Sequence, residues 1–327
     1  MDFNEFKNVY QKTPVKVFHD HGNQSPEVTV CVQTYQHADF IEKCLDSLIE
    51  QETNFDYEIL IGEDESNDGT REICIKYAEE HPEKIRLLLH SRENNISIIG
   101  SPSGRFNFSY NLFEARGKYI AFCEGDDFWI DKNKLQNQFD AMERNRDCSV
   151  CFTAAEYHYL SKDSNNVISK KVYRPKDAFD GKKYTLNEAI RPTGGFMPSA
   201  SMFFRSKYLN NPPQFFFDAI VGDTPLTLYL GTQGNFLYLD KPTCVYQIGT
   251  QGSWTQASNY HKRKKRVQGY IDILDQFDQY SSFEYHSKIK IQKLKLKLGL
   301  MRSVIKKQLR PLRKFSLVDK IAKLTGN

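Results

Sequence analysis

The chain has 327 residues, of which 39% are apolar and 13% aromatic. That is enough for one large domain of about 250 residues with an appendage, or for two domains, and it excludes global disorder. No run approaches the roughly 18 apolar residues of a membrane span, and the polar start at residues 1–10 lacks the apolar stretch of a signal peptide.

Net charge is +4, but it is unevenly spread. Residues 285–318 hold 11 Lys or Arg and no acid, leaving 34 basic against 41 acidic residues elsewhere. The basicity belongs to the tail, which points to an anionic partner there. The seven cysteines are scattered and odd in number, which reads as reduced thiols of a cytoplasmic protein. Cys148 and Cys151 form a CxxC with no second pair nearby, which suits a buried strand better than zinc.

The apolar, β-branched run 28–32 predicts a buried strand. Ile41, Cys44, Leu45, Leu48 and Ile49 then repeat at helical spacing, which predicts a helix over 38–51. A strand comes next at 57–61, and Ser66 and Asp68 are helix-start residues ahead of Ile73, Tyr77 and Ala78. Strands at 85–89 and 119–123 are expected after it, with helices over 107–115 and around Leu135, Phe139 and Met142. Strands alternating with helices imply βαβ units and a mostly parallel sheet.

After Cys148 the alternation weakens. Strands are expected at 150–159, 201–204 and 234–247, a polar loop over 161–181 and a helix over 224–230. Beyond Asn259, Val267, Tyr270, Leu274 and Phe277, then Ile291, Leu294, Leu298, Met301 and Ile305, recur every three or four residues. That predicts a helical region with two apolar seams, ended or kinked at Pro311. The texture divides the chain into an N-terminal extension (1–27), a regular α/β half (28–150), a mixed half (151–258) and a helical basic region (259–327).

In a parallel sheet, ligands bind beyond the carboxyl ends of the strands. After the first strand, Thr34 and Tyr35 either hold a nucleobase or form a capped turn. After the second, four acids lie within Gly62 to Thr70; Asp68 suits a helix cap and Asp64 a contact with a base N–H. After the fourth come Glu124, Asp126 and Asp127 around Gly125. An apolar strand running into three carboxylates is costly unless a divalent cation relieves the repulsion, and hard oxygen ligands suit Mg²⁺ or Mn²⁺. Asp223, just before a helix pattern, is either a general base or an N-cap.

Together these segments resemble the inverting family 2 glycosyltransferases of the GT-A fold. The likeness is closest to a bacterial subgroup with a CEGDDYW-type core. It rests on GKYIAFCEGDDFW at 117–129, SASMFFR at 199–205, GDTPL at 222–226 and the 246–254 segment, in order over roughly 28–254. The resemblance implies a donor half at 28–150 and an acceptor half at 151–258. It implies that Thr34, Tyr35, Asp64 and Arg105 contact a nucleotide-sugar, most simply a UDP-sugar. Glu124 and Asp126 would touch the donor and hold the metal, Asp223 would be the catalytic base, and Asp127, Trp129 and Trp254 would lie on the acceptor side. The implied function is transfer of a sugar to a glycan, polymer or lipid-linked acceptor in bacterial cell-surface polysaccharide synthesis. One departure stands out: the subgroup's Tyr-Arg-x-His is here Tyr246-Gln247-Ile248-Gly249, which leaves a third protein ligand to the metal open.

The basic tail would serve an anionic membrane on the inner face of the cell, a second subunit or an anionic polymer; one patch with few aromatics does not suit nucleic acid. Two rival readings are a non-catalytic carbohydrate-binding or scaffolding protein on the same fold and a nucleotidyltransferase. The latter lacks its Gly-rich phosphate loop near the first strand.

Overall fold

The computed structural model describes residues 1–18, 20, 25–161, 164–193, 195–250 and 260–302. The chain opens with α1 (Phe3–Tyr10) and β1 (Lys16–Phe18). Then come β2 (Val28–Thr34), α2 (Ile41–Ile49), β3 (Tyr57–Glu63), α3 (Thr70–Glu80) and β4 (Ile85–Leu89). A hairpin, β5 (Ile96–Ile98) and β6 (Ser101–Ser103), leads to α4 (Arg105–Glu114), β7 (Tyr119–Phe122), β8 (Phe128–Trp129) and α5 (Lys134–Arg144). The second half contributes β9 (Cys148–Leu160), β10 (Val167–Tyr173), β11 (Lys183–Tyr184), α6 (Leu186–Ala189) and β12 (Phe203–Arg205). It continues with α7 (Gln214–Asp218), α8 (Asp223–Gly231), β13 (Asn235–Ile248), α9 (Tyr260–Tyr280) and α10 (286–302).

One large sheet carries the fold, in the order β1-β4-β3-β2-β7-β12-β9-β13-β11. Its centre, β4-β3-β2-β7, is parallel, and β12 joins it antiparallel to a second parallel pair, β9 and β13. Side chains alternate across a strand, so each buried strand feeds two cores. Val28, Val30, Val32, Ile59 and Ile61 pack with α2, α3 and α5, while Cys31, Leu60, Ile120 and Phe122 pack with α4, α7, α8 and α9. Covering both faces is why these strands read as unbroken apolar runs. The α/β architecture with a mixed second half and helical end is the one expected. All seven cysteines are free and buried, Cys148 and Cys151 among them on β9.

One expectation is corrected, and both described ends of the chain prove to be packed on the body. Within the N-terminal extension, Phe6 is fully buried against Phe106 and Phe217, and β1 pairs with β4. Residues 167–173, expected in a loop, form β10 against β9. Both faces of β10 are largely exposed, so no apolar alternation marks it. The helical end, as expected, follows the α/β body and is docked on it. Phe277 and Tyr280 of α9 pack on Phe215 of α7, and Tyr280 also meets Tyr229 of α8. Ile305 and Pro311 lie outside the described residues.

Candidate active site

The parallel register brings the carboxyl ends of β3, β2 and β7 side by side, with Thr34 opposite Glu63 and Cys31 opposite Phe122. Thr34 is buried there, its Oγ1 3.2 Å from His37 Nδ1. Asp64 is buried as well. Its Oδ2 accepts hydrogen bonds from Arg92 Nη1 and Asn95 Nδ2, each at 3.0 Å, while its Oδ1 has no partner. Burial pushes this carboxyl up to about 6, although Asn95 and Arg92 both pull it down. The Arg92 guanidinium also lies 3.7 Å from the centroid of the exposed Tyr35 ring. A platform of Tyr35 and Arg92 beside an unpartnered buried acceptor fits a flat, N–H-bearing ring. Arg92 and Asn95 escaped the sequence reading because they sit in a polar connection with no spacing signal.

The acid turn after β7 is tied down from several sides. Gly125 N–H donates to Gln33 O at 2.9 Å. A Cβ on Gly125 would lie 2.5 Å from Thr34 Oγ1 and 2.8 Å from His37 Nδ1, so it is Thr34 and His37 that need the glycine's bareness. Ser199 Oγ donates to Glu124 Oε2 at 2.7 Å, and Thr250 Oγ1 donates to Asp126 Oδ2 at 2.9 Å. Gln247 holds the turn through two bonds, its Nε2 to Asp126 O and its N–H to Asp127 Oδ1 at 2.8 Å. Asp127 Oδ2 is buried without a partner, and burial raises its carboxyl well above the usual range. Ser199, Tyr246, Gln247 and Thr250 carried no assigned role in the sequence; their place comes from β13 and the 199–201 turn crossing over the acids.

Asp223 is the first residue of α8, after the N-cap Gly222, and its Oδ1 accepts from Thr224 N–H at 2.7 Å, so it is not the helix's N-cap. It also joins the acid cluster. Burial lifts Glu124 to about 7, and the charges of Asp126 and Asp223 add to the lift. The Tyr246 hydroxyl is raised first by burial and then by Asp127, Glu124, Asp126 and Asp223 together. Gly222, just before Asp223, sits against the Phe108 ring, whose centroid lies 5.4 Å from that of Phe122, so the start of α8 lies beside the end of β7.

Some expected roles do not survive the geometry. Arg105 is buried behind Asp223, and its Nη2 donates to Phe216 O at 2.6 Å, so it cannot serve as an open donor contact. Trp129 is only 4% exposed; its Nε1 donates to Ala200 O at 3.2 Å and Lys134 Nζ lies 4.1 Å from its ring centre. It is a core side chain, not an acceptor platform. Asp127 likewise faces inward and braces the turn through Gln247. Trp254 lies outside the described residues.

The donor set suits a hard divalent cation. Glu124 and Asp126 offer carboxylate oxygens and form no ion pair among the described residues, while their mutual repulsion is unrelieved. Among the described residues no three His, Cys, Asp or Glu side chains surround one point. The described residues thus present one or two ligands and would leave the rest to other donors such as a diphosphate and water. Gly249, where the resemblance expects His, has φ +107°, a backbone setting that disfavours a side chain.

Comparison with known proteins bears on the family and the fold. An uncharacterized protein of Mycobacterium tuberculosis is 37% identical over 133 residues, which is 40% of this chain and 36% of that one. TuaG of Bacillus subtilis, a putative teichuronic acid biosynthesis glycosyltransferase, is 29% identical over 171 residues, 52% of this chain and 60% of TuaG. The match thus spans between about a third and three fifths of these relatives' own lengths. S. aureus TarS 1–349 in complex with UDP-GlcNAc superposes with a TM-score of 0.58 at 17% identity, over 84% of this chain and 73% of that one. That likeness establishes the GT-A glycosyltransferase fold. Residues 29–210, more than half of the chain, match the family model for glycosyl transferase family 2, and the chain belongs to that family.

Proposed function

We propose that this family 2 glycosyltransferase moves a sugar, with inversion, from a UDP-sugar to a hydroxyl of a glycan, polymer or lipid-linked acceptor in bacterial cell-surface polysaccharide synthesis. The observation that carries the reading is the cluster of Glu124, Asp126 and Asp223 beyond the carboxyl ends of the parallel strands, where the charges of Asp126 and Asp223 both act on Glu124. The solved complex of TarS with UDP-GlcNAc and the role ascribed to TuaG support the donor class and the pathway class.

In this reading Asp64, Thr34 and the Tyr35 ring receive the base. Asp126, with Glu124, would hold Mn²⁺ or Mg²⁺, which when bound supplies positive charge to the diphosphate. Asp223 accepts the proton of the acceptor hydroxyl. The acceptor oxygen bonds to the anomeric carbon as the bond to the diphosphate breaks. One base and no enzyme nucleophile give inversion. Burial raises Asp223, the direction that makes a carboxylate a stronger base. Ser199, Gln247 and Thr250 keep the acids in place. No described helix is long and apolar enough to cross a membrane. The reading places the enzyme at the cytoplasmic face.

The test is a thermal-shift screen of nucleotide sugars with Mn²⁺ and Mg²⁺, followed by product analysis for the donor that binds. Asp223→Asn should leave donor binding intact and lower turnover about 10²-fold or more. Normal turnover in that variant removes Asp223 as the base. Donor binding with neither transfer nor hydrolysis by the native chain would favour a non-catalytic binding protein.

A further inference from the structure

α10 is apolar on two opposite sides. Ile289, Gln292 and Leu296 are buried against the body of the protein. Ile291, Leu294, Leu298 and Met301 point the other way and are 52%, 56%, 41% and 59% exposed. At 100° per residue these four fall within one stripe facing away from the buried three. Four large apolar side chains in an uninterrupted exposed row mark a docking surface.

The charges flanking the row identify what can dock. Lys290 and Lys297 line one border, Lys295 and Arg302 the other; all four are exposed and form no ion pair among the described residues. The spacing of the row is that of a coiled-coil seam, and these four occupy the positions that would face a partner helix's flanks. A second copy would bring lysine against lysine in either orientation, which is unfavourable. The cationic field extends further. α9 and α10 form an antiparallel hairpin, held by His286 Nδ1 to Asp278 Oδ2 at 2.7 Å and by Lys293 to Asp275. The basic run at 262–266 therefore lies toward the Arg302 end.

We infer that the outer face of α10 docks on an anionic phospholipid bilayer, with Ile291, Leu294, Leu298 and Met301 entering the acyl boundary and the flanking cations meeting lipid phosphates. A polyanion would satisfy the charges but offers nothing to the leucines; a lipid surface satisfies both. Because α9 packs on α7 and α8, docking would hold the helix that begins at Asp223 at a fixed place relative to the membrane. This deepens the proposed use of a lipid-linked acceptor, but vesicle binding is read without any catalysis.

The experiment is flotation of the full chain with vesicles of phosphatidylcholine alone or with about 30% phosphatidylglycerol. Binding is expected only to the anionic vesicles, and should fall as salt rises. Leu294→Asn/Leu298→Asn should reduce the bound fraction at least ten-fold. Lys290→Gln and Lys297→Gln should each weaken binding about five-fold. Melting temperature and donor binding of these variants should match the native chain, showing that they fold. Native-like flotation of the Leu294/Leu298 variant overturns the proposal. So does failure of the native chain to bind anionic vesicles, whether accompanied by a dimer that the same substitutions dissociate or by capture of an acidic protein partner.

Discussion

The buried guanidinium of Arg105 faces Asp223 across Gly222, where an added Cβ would lie 2.8 Å from Arg105 Nη1. Burial pulls Arg105 down to about 10 while Asp223 draws it back up, and Arg105 in turn lowers Asp223 against the lift of burial. We infer that Arg105 is a positioning residue that favours the charged form of the proposed base. Arg105→Met should move the acid limb of the kcat–pH profile upward by about one unit, costing about ten-fold in turnover below it. Arg105→Lys should keep the limb near its native position. If both variants lose activity equally at every pH, the arginine is only packing.

Asp64 makes stability depend on pH. Its folded carboxyl sits at about 6 against an ordinary 3.8, because burial outweighs Asn95 and Arg92. A raised pKa means the folded state holds the proton more tightly. The favourable contribution is therefore full below about pH 4 and is lost as pH rises through about 6. Relative to Asp64→Asn, the ligand-free native chain should lose up to about 3 kcal/mol across that window, at about 1.4 kcal/mol per unit. Paired denaturant titrations near pH 4.5 and 7.5 measure it; a constant difference between the two proteins would falsify the assignment.

Gly125 is the close approach at the acid turn. Gly125→Ala must push the turn off Thr34 and His37, since the new carbon would sit 2.5 Å from Thr34 Oγ1. Donor affinity should drop about ten-fold or more, in line with a positional error of an ångström. Calorimetric titration with the donor found by the screen reads this directly, and unchanged affinity would show that the turn can shift freely.

Near the amino-terminal ends of β3 and β4, Arg86 is buried with Glu58. Its Nε donates to Glu58 Oε2 at 3.1 Å and its Nη1 to Glu114 Oε2 at 2.9 Å. Thr29 Oγ1 also donates to Glu58, at 2.7 Å. Arg86→Ala strands a buried carboxylate and should cost about 3–5 kcal/mol. Arg86→Met/Glu58→Gln should recover most of that loss in urea unfolding. A single variant as stable as the native protein would mean that water reaches Glu58.

Much of the catalytic half was legible because its determinants are local. The strands β2, β3, β4 and β7 are apolar runs, and the helices between them repeat at 3.6 residues, so the sheet could be read from periodicity. Thr34, Asp64, Glu124 and Asp126 stood out because each lies at or just past the carboxyl end of a parallel strand, where ligands bind. β10 was not legible because neither of its faces is buried. Trp129 and Arg105 were misplaced because one residue's turn along a strand or helix decides whether a side chain meets the site or the core.

The sequence by itself determined the α/β alternation, the acids at the strand ends and the uneven charge of the tail, because propensity, periodicity and composition are properties of neighbouring residues. Only the tertiary structure decided which residues face one another: Arg92 over Tyr35, Thr250 on Asp126, Arg105 behind Asp223, and the lysines bordering an outward apolar row on α10. Those relationships join segments far apart in the chain, and they arise from the register of the sheet and the packing of the helices against it.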